Sequence, residues 1–217
     1  MEVKIKDPIS ALTHFIGAVL SLVAVTSLVM KAYYMGNPLY MLAFGIFGIS
    51  LVGLYSASTI YHIVARPQKI SKLLKRIDHM MIFILIAGTY TPICLIPLEA
   101  ASGGKIGITV LTIVWCVAIV GIILKIVWLN APRWLYTAQY ILMGWIAIFA
   151  IVPLFNTMNT EGFMWLFIGG ITYTIGGVIY ATKWPKLNFK WFGFHEVFHV
   201  FVLVGSVCHY FMILSLV

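Results

Sequence analysis

Seven runs of mostly apolar residues follow one another along the chain, at about 10–31, 38–64, 77–97, 104–129, 134–154, 162–182 and 193–216. A helix of about 20 such residues crosses the hydrocarbon core of a bilayer. In lipid, every backbone N–H and C=O must be satisfied internally, which limits a spanning segment to a helix or a closed barrel. Runs this long are helices. The breaks between them carry turn residues: Gly36-Asn37-Pro38, Arg66-Pro67, Ser102-Gly103-Gly104, Ala131-Pro132 and Trp184-Pro185. The expected fold is therefore all-α, a polytopic membrane protein built as a seven-transmembrane helix bundle, with residues 1–217 forming one domain. Charge content agrees, since only 9% of the residues are charged, against about 25% in a soluble domain. The first run is long enough to span and no small-residue cleavage site follows it, so it reads as a span rather than a signal peptide. Cys94, Cys116 and Cys208 lie within apolar runs without a C-x-x-C spacing and read as small buried hydrophobes.

The net charge of +8 would suit nucleic acid if it were clustered on a soluble surface. Here the basic residues flank apolar runs, so nucleic acid is excluded as a partner and the lipid bilayer takes its place. Lys4, Lys6, Arg66, Lys69, Lys72, Lys75, Arg76, Lys125, Arg133, Lys183, Lys186 and Lys190 fall on one side, which is twelve of the fourteen Lys and Arg. Lys31 and Lys105 fall on the other. Cytoplasmic loops carry the Lys/Arg excess. The N-terminus is expected to be cytoplasmic and the C-terminus extracytoplasmic.

An ionisable side chain inside a span costs roughly 2.5–3.5 kcal/mol on insertion scales, so each one is a functional candidate. Alternation of direction brings His14, His62, Asp78, His79, His195 and His199 to the same third of the bundle. Ser58 and His62 are four residues apart, as are His195 and His199, and each pair shares one helix face. Imidazole suits zinc, which in catalytic sites takes three protein ligands and a water. The expected ligands are His62, His195 and His199, with Asp78 and Ser58 holding or activating the water. Asp78 would serve equally as a helix N-terminal cap. His14 and His79 read as hydrogen-bonded interfacial residues. His209 lies about 15 Å beyond His199 along a helix and reads as a buried hydrogen-bonding residue.

His195-Glu196-Val197-Phe198-His199 also fits H-E-x-x-H, the zinc helix of metalloproteases, in which the glutamate is the general base. Glu196 is expected instead to favour the helix dipole from an N-terminal position facing the polar interface.

In combination these residues resemble the progestin and adipoQ receptor (PAQR) superfamily. The resemblance rests on Ser58-x-x-x-His62 ending the second span, Asp78 opening the third and His195-x-x-x-His199 opening the seventh. Thr13-His14-Phe15-Ile16-Gly17, Ala87-Gly88-Thr89-Tyr90-Thr91-Pro92 and Gly205-Ser206-Val207-Cys208-His209 add to it. Small size and short loops resemble the bacterial branch, the hemolysin III family. The resemblance implies zinc held by His62, His195 and His199, with Asp78 and Ser58 beside the metal's water, in a multi-pass protein of the bacterial cytoplasmic membrane. Relatives include receptors with ceramide-cleaving activity and a wider group with alkaline ceramidases. The implied function is zinc-dependent hydrolysis of an amide or ester bond, with a membrane lipid as substrate or ligand. The alternatives are a regulator of lipid or membrane energetic state with structural zinc, a haemolytic pore-former and an intramembrane protease. Glu196 departs from the family, whose members commonly carry a non-acidic residue between the two histidines.

Overall fold

Each of the seven apolar runs is helical in the computed structural model, which describes residues 5–64, 67–187, 189 and 192–217. Lys4, Arg66 and Lys190 of the basic set lie outside the described residues. Helices α1 (Pro8–Tyr34) and α2 (Pro38–Ile63) form the first two spans. Helix α3 (Gln68–Leu95) and the short α4 (Pro97–Ser102) make the third, and α5 (Lys105–Val127) the fourth. The fifth comprises α6 (Arg133–Gly144), a 3-10 segment (Trp145–Ala150) and α7 (Ile151–Thr157). Helices α8 (Thr160–Thr182) and α9 (Phe194–Leu214) complete the seven.

Local chemistry sets the starts. Pro8, Pro38 and Pro97 occupy first-turn positions, where a missing N–H removes nothing from the helix. Asn37 Oδ1 accepts from the N–H groups of Leu39 and Tyr40, and Asn159 Oδ1 accepts from Gly162. These are caps for amides that have no partner inside the helix.

Two boundaries differ from the hydropathy runs. Helix α3 begins at Gln68, about nine residues before its apolar run. Ile70, Leu73, Leu74 and Ile77 recur at i, i+3, i+4 and i+7 among the basic residues, so the segment is an amphipathic helix rather than a loop. Lys69, Lys72, Lys75 and Arg76 therefore stand on α3, and Asp78 lies three turns into it. Pro67 holds the N-cap position, so Asp78 is not a cap. The fifth span is broken rather than continuous. Pro153 cannot donate to the carbonyl four residues back, and the chain tightens to 3-10 over Trp145–Ala150. Tyr90 of α3 repairs the break: its hydroxyl donates to the Gly144 carbonyl at 2.7 Å and accepts from the Ala147 N–H at 2.7 Å.

The third span is the most deeply buried, with 67% of its most apolar stretch covered by protein. Helix α3 packs between α2 and α5, and the ring continues through α6, α8 and α9, with α9 returning to α1 and α1 to α2. The core lies at α2 and α3, where Phe44, Phe47, Leu51, Leu54, Phe83, Ala87 and Ile93 are buried. Close approach needs small residues. A Cβ on Gly17 would stand 2.6 Å from the Tyr55 ring and 2.8 Å from Leu203. Large apolar side chains such as Phe149, Leu142 and Ile49 are exposed on the outside, as a lipid-facing surface requires. Alternating direction brings the start of α1, the end of α2, the first turns of α3, the end of α5 and the start of α9 to one end. Lys31 and Lys105 are at the other.

Candidate metal centre

The end of α2 meets the start of α9 at three histidines. His62, His195 and His199 present ligand atoms that all lie within 4.8 Å of one another. His62 and His199 are each 2% exposed, and His195 is half-buried. The Nε2 atoms of His62 and His195 are 3.4 Å apart. Nitrogens about 2.0–2.1 Å from a tetrahedrally bound zinc stand about 3.3–3.4 Å from each other. The donor set and its spacing fit a metal ion of this kind.

Neighbouring groups select the nitrogen that faces the site. His62 Nδ1 lies 3.0 Å from Asp7 Oδ2. A carboxylate only accepts, so Nδ1 carries the proton and Nε2 keeps its lone pair. His199 Nδ1 lies 3.4 Å from Thr13 Oγ1. That hydroxyl donates to the carbonyls of Ile9 and Ser10, each at 3.0 Å, which leaves its oxygen to accept from the imidazole. Metal-binding histidines are oriented in this way by an acceptor on the far nitrogen.

Asp7 is itself fixed. Its N–H donates to the His62 carbonyl at 3.0 Å, and Lys6 Nζ stands 3.3 Å from its carboxylate and over the Tyr61 ring. Partial burial pushes the Asp7 carboxyl up, but the His62 hydrogen bond and the Lys6 charge outweigh it and hold it below its usual range. The segment before α1 thus clasps the end of α2. Asp7 and Thr13 were absent from the expected site. Asp7 reads as a pre-span residue, and no spacing in the sequence ties it to His62.

Ser58 and Asp78 line the same cavity as His195 and His199. Ser58 is buried and lines the cavity with Asp78, within electrostatic reach of its carboxylate. Asp78 is outside the group of mutually close ligand atoms. His14, expected at the interface, is instead buried inside the bundle. Its ring stacks on His199 with centroids 3.6 Å apart and meets Tyr55 edge-on. Neither ring nitrogen has a hydrogen-bond partner among the described residues. His79 Nδ1 is likewise buried and without a partner there. His209 is a buried hydrogen-bonding residue: Nδ1 lies 2.8 Å from the Gly205 carbonyl, and its ring stacks on Tyr173.

Glu196 turns toward α1 as well as capping its own helix. Oε2 accepts from the Gly193 N–H at 2.8 Å, and Oε1 accepts from the Ser10 hydroxyl at 2.6 Å. Ser10 is fully buried, so this carboxylate does not simply face the polar interface. Both of its oxygens are engaged away from the three histidines, an arrangement unlike the base of an H-E-x-x-H protease.

The cavity has a volume of about 580 Å³. It runs from Asp78, His195 and His199 past Leu85 to Ile93, Phe163 and Leu166. Its far portion is mostly apolar, with Thr89, Tyr90, Tyr173, Thr174 and His209 among its lining, and within the span region.

The sequence model described as Haemolysin-III related matches residues 3–210. Hemolysin-3 of Bacillus cereus is 41% identical over 211 residues, spanning 97% of this chain and 91% of the relative. The Hemolysin-3 homolog of Bacillus subtilis (strain 168) is 40% identical over 211 residues, covering 97% of this chain and 94% of the relative. The human monocyte to macrophage differentiation factor is 25% identical over 172 residues, covering 77% of this chain and 67% of that protein. With seven helices able to cross a membrane and a three-histidine cluster at one end, the chain is a multi-pass bacterial membrane protein that belongs to the haemolysin-III related family.

Proposed function

We propose that His62, His195 and His199 hold zinc and that the site hydrolyses an amide or ester bond of a membrane lipid. The observation that carries this reading is the continuity of the histidine cluster with an apolar cavity that has Ser58 and Asp78 at the same end. Three neutral nitrogens suit a catalytic zinc, which keeps a further position for water or substrate. Zinc, when bound, polarises a carbonyl and brings the pKa of water to about 7.

The chain's own residues do the rest. The apolar cavity holds the acyl chain and excludes bulk water. Asp78 accepts a proton from the attacking water, whose oxygen forms the new bond to the carbonyl carbon. As the C–N or C–O bond breaks, Asp78 returns that proton to the leaving amine or alcohol. Ser58 keeps the Asp78 carboxylate in place, and Asp7 and Thr13 keep two imidazoles in the binding tautomer. Lys6, Lys69, Lys72, Lys75, Lys125 and Arg133 gather at this end, so we assign it to the cytoplasmic face.

Purified protein assayed for metal and for fatty acid release from a panel of ceramides, acylglycerols and phospholipids tests this reading. About one zinc per chain is expected. Asp78→Asn should lose roughly 10²–10⁴-fold in turnover, the range of general acid–base catalysis, with zinc content unchanged. Full zinc loading with no release from any lipid would refute the hydrolase. It would leave a second reading, a regulator in which metal clasps α2 to α9, which the Asp7 contact joining α1 to His62 favours.

A further inference from the structure

Lys125 is in the last turn of α5. A lysine there ordinarily extends its long side chain toward the headgroups. Lys125 turns inward instead and is 1% exposed, with Nζ 3.3 Å from the centre of the Tyr136 ring. It lines the cavity together with Lys75 of α3 and Arg133 at the start of α6. Lys75 is within electrostatic range of both the others. Three cations from three elements thus converge on the cavity, at the end that also holds Asp78 and the histidines.

Two of the described carboxylates at this end are committed elsewhere. Asp7 bonds His62 and Lys6, and Glu196 bonds Gly193 and Ser10, while Asp78 lines the cavity within electrostatic range of Lys75 and Lys125. Among the described residues, no carboxylate lies within ion-pair distance of Lys75, Lys125 or Arg133. Arg133 has the faces of Tyr180 and Phe194 and the Tyr180 carbonyl. An aromatic face offsets only part of the desolvation of a buried ammonium. An anion entering the cavity would complete the set. The cavity then continues away from the cations along α3 from Asp78 to Ile93, a rise of about 22 Å, between mostly apolar walls. Its volume of about 580 Å³ is within the roughly 300–1,000 Å³ of ligand pockets. Cations at one end and an apolar channel beyond describe a receptor for an amphiphile.

We propose that Lys75, Lys125 and Arg133 form a cradle for the phosphate or carboxylate head of a membrane amphiphile, whose chain lies in the cavity. This extends the lipid reading given above and rests on the cavity holding an amphiphile, not on bond cleavage. It adds a charge requirement to the ligand: an anionic lipid is preferred to a neutral one of equal chain length.

Binding of tetradecyl phosphate and of tetradecanol to the full-length protein in a neutral detergent tests the cradle, measured by calorimetry with and without chelator. The phosphate is expected to bind at least tenfold tighter than the alcohol, with or without metal. Lys125→Gln and Arg133→Gln should each reduce that preference at least fivefold, and Lys125→Arg should restore it. Arg133→Gln decides the matter alone if Lys125→Gln fails to fold. Inorganic phosphate at the same concentration should not displace the amphiphile. If it does, the ligand is a free anion and the lipid assignment falls. Equal binding of phosphate and alcohol would overturn the cradle. So would a preference that vanishes on chelation but survives in both Gln variants, because the anion would then sit on the histidine-bound metal. A protein that passes these tests yet hydrolyses no lipid retains the cradle and loses the hydrolase. One that cleaves lipids without regard to head charge does the opposite.

Discussion

Asp7 stands one residue before the first span, yet its carboxylate decides which nitrogen of His62 is available to a metal. Losing an acceptor of this kind typically lowers metal affinity 10–100-fold. Asp7→Ala should weaken zinc binding by that factor in a chelator competition assay. Glu196→Gln should leave zinc binding within about threefold of wild type, since Glu196 bonds Gly193 and Ser10 rather than a ligand histidine. An equal loss from both variants would mean that the histidines depend on the whole N-terminal segment rather than on one oriented imidazole. At this scale the sequence is most informative where spacing is short. His195 and His199 share a face because four residues make about one helical turn. Asp7 and His62 are 55 residues apart, and no local period connects them.

The fifth span shows how an element is completed by its neighbour. Where the chain tightens to 3-10, it passes a carbonyl and an amide to the Tyr90 hydroxyl of α3. In lipid those groups have no water to turn to. Tyr90→Phe keeps the ring and removes both hydrogen bonds, leaving two backbone groups of the span unsatisfied away from water, at about 1–3 kcal/mol each. A clear fall in the thermal midpoint of the detergent-solubilised protein is expected, whereas an unchanged midpoint would show that other groups satisfy the break. Hydropathy detects this span because it averages over a window. It misses the break because the Pro153 constraint and the Tyr90 remedy are matters of hydrogen bonding. The same averaging hides the amphipathic start of α3, whose apolar positions are diluted by Lys69, Lys72, Lys75 and Arg76.

For the molecule as a whole, direction and depth are simple quantities. Seven spans with short connections must alternate, so His62 near the end of α2 and His195 near the start of α9 reach one level before any packing is known. The cytoplasmic placement proposed for that level from the basic residues is checked by a labelling experiment. A cysteine replacing Lys31 should react with a membrane-impermeant maleimide on intact cells. One replacing Lys69 should react only after permeabilisation, and the reverse pattern would invert the topology. Periodicity, alternation and the motif spacings thus determined the seven-helix class, the family resemblance and the three histidines that meet. Tertiary structure alone decided how each helix is rotated about its axis and which helices are neighbours. It turned Lys125 into the cavity, stacked His14 on His199 and drew Asp7 onto His62. It also turned Glu196 away from the histidines that its pentapeptide would have it serve. The physical reason is that span length and charge bias fix position along the membrane normal. Rotation and neighbour choice depend on side-chain packing between segments far apart in the chain, which no single segment encodes.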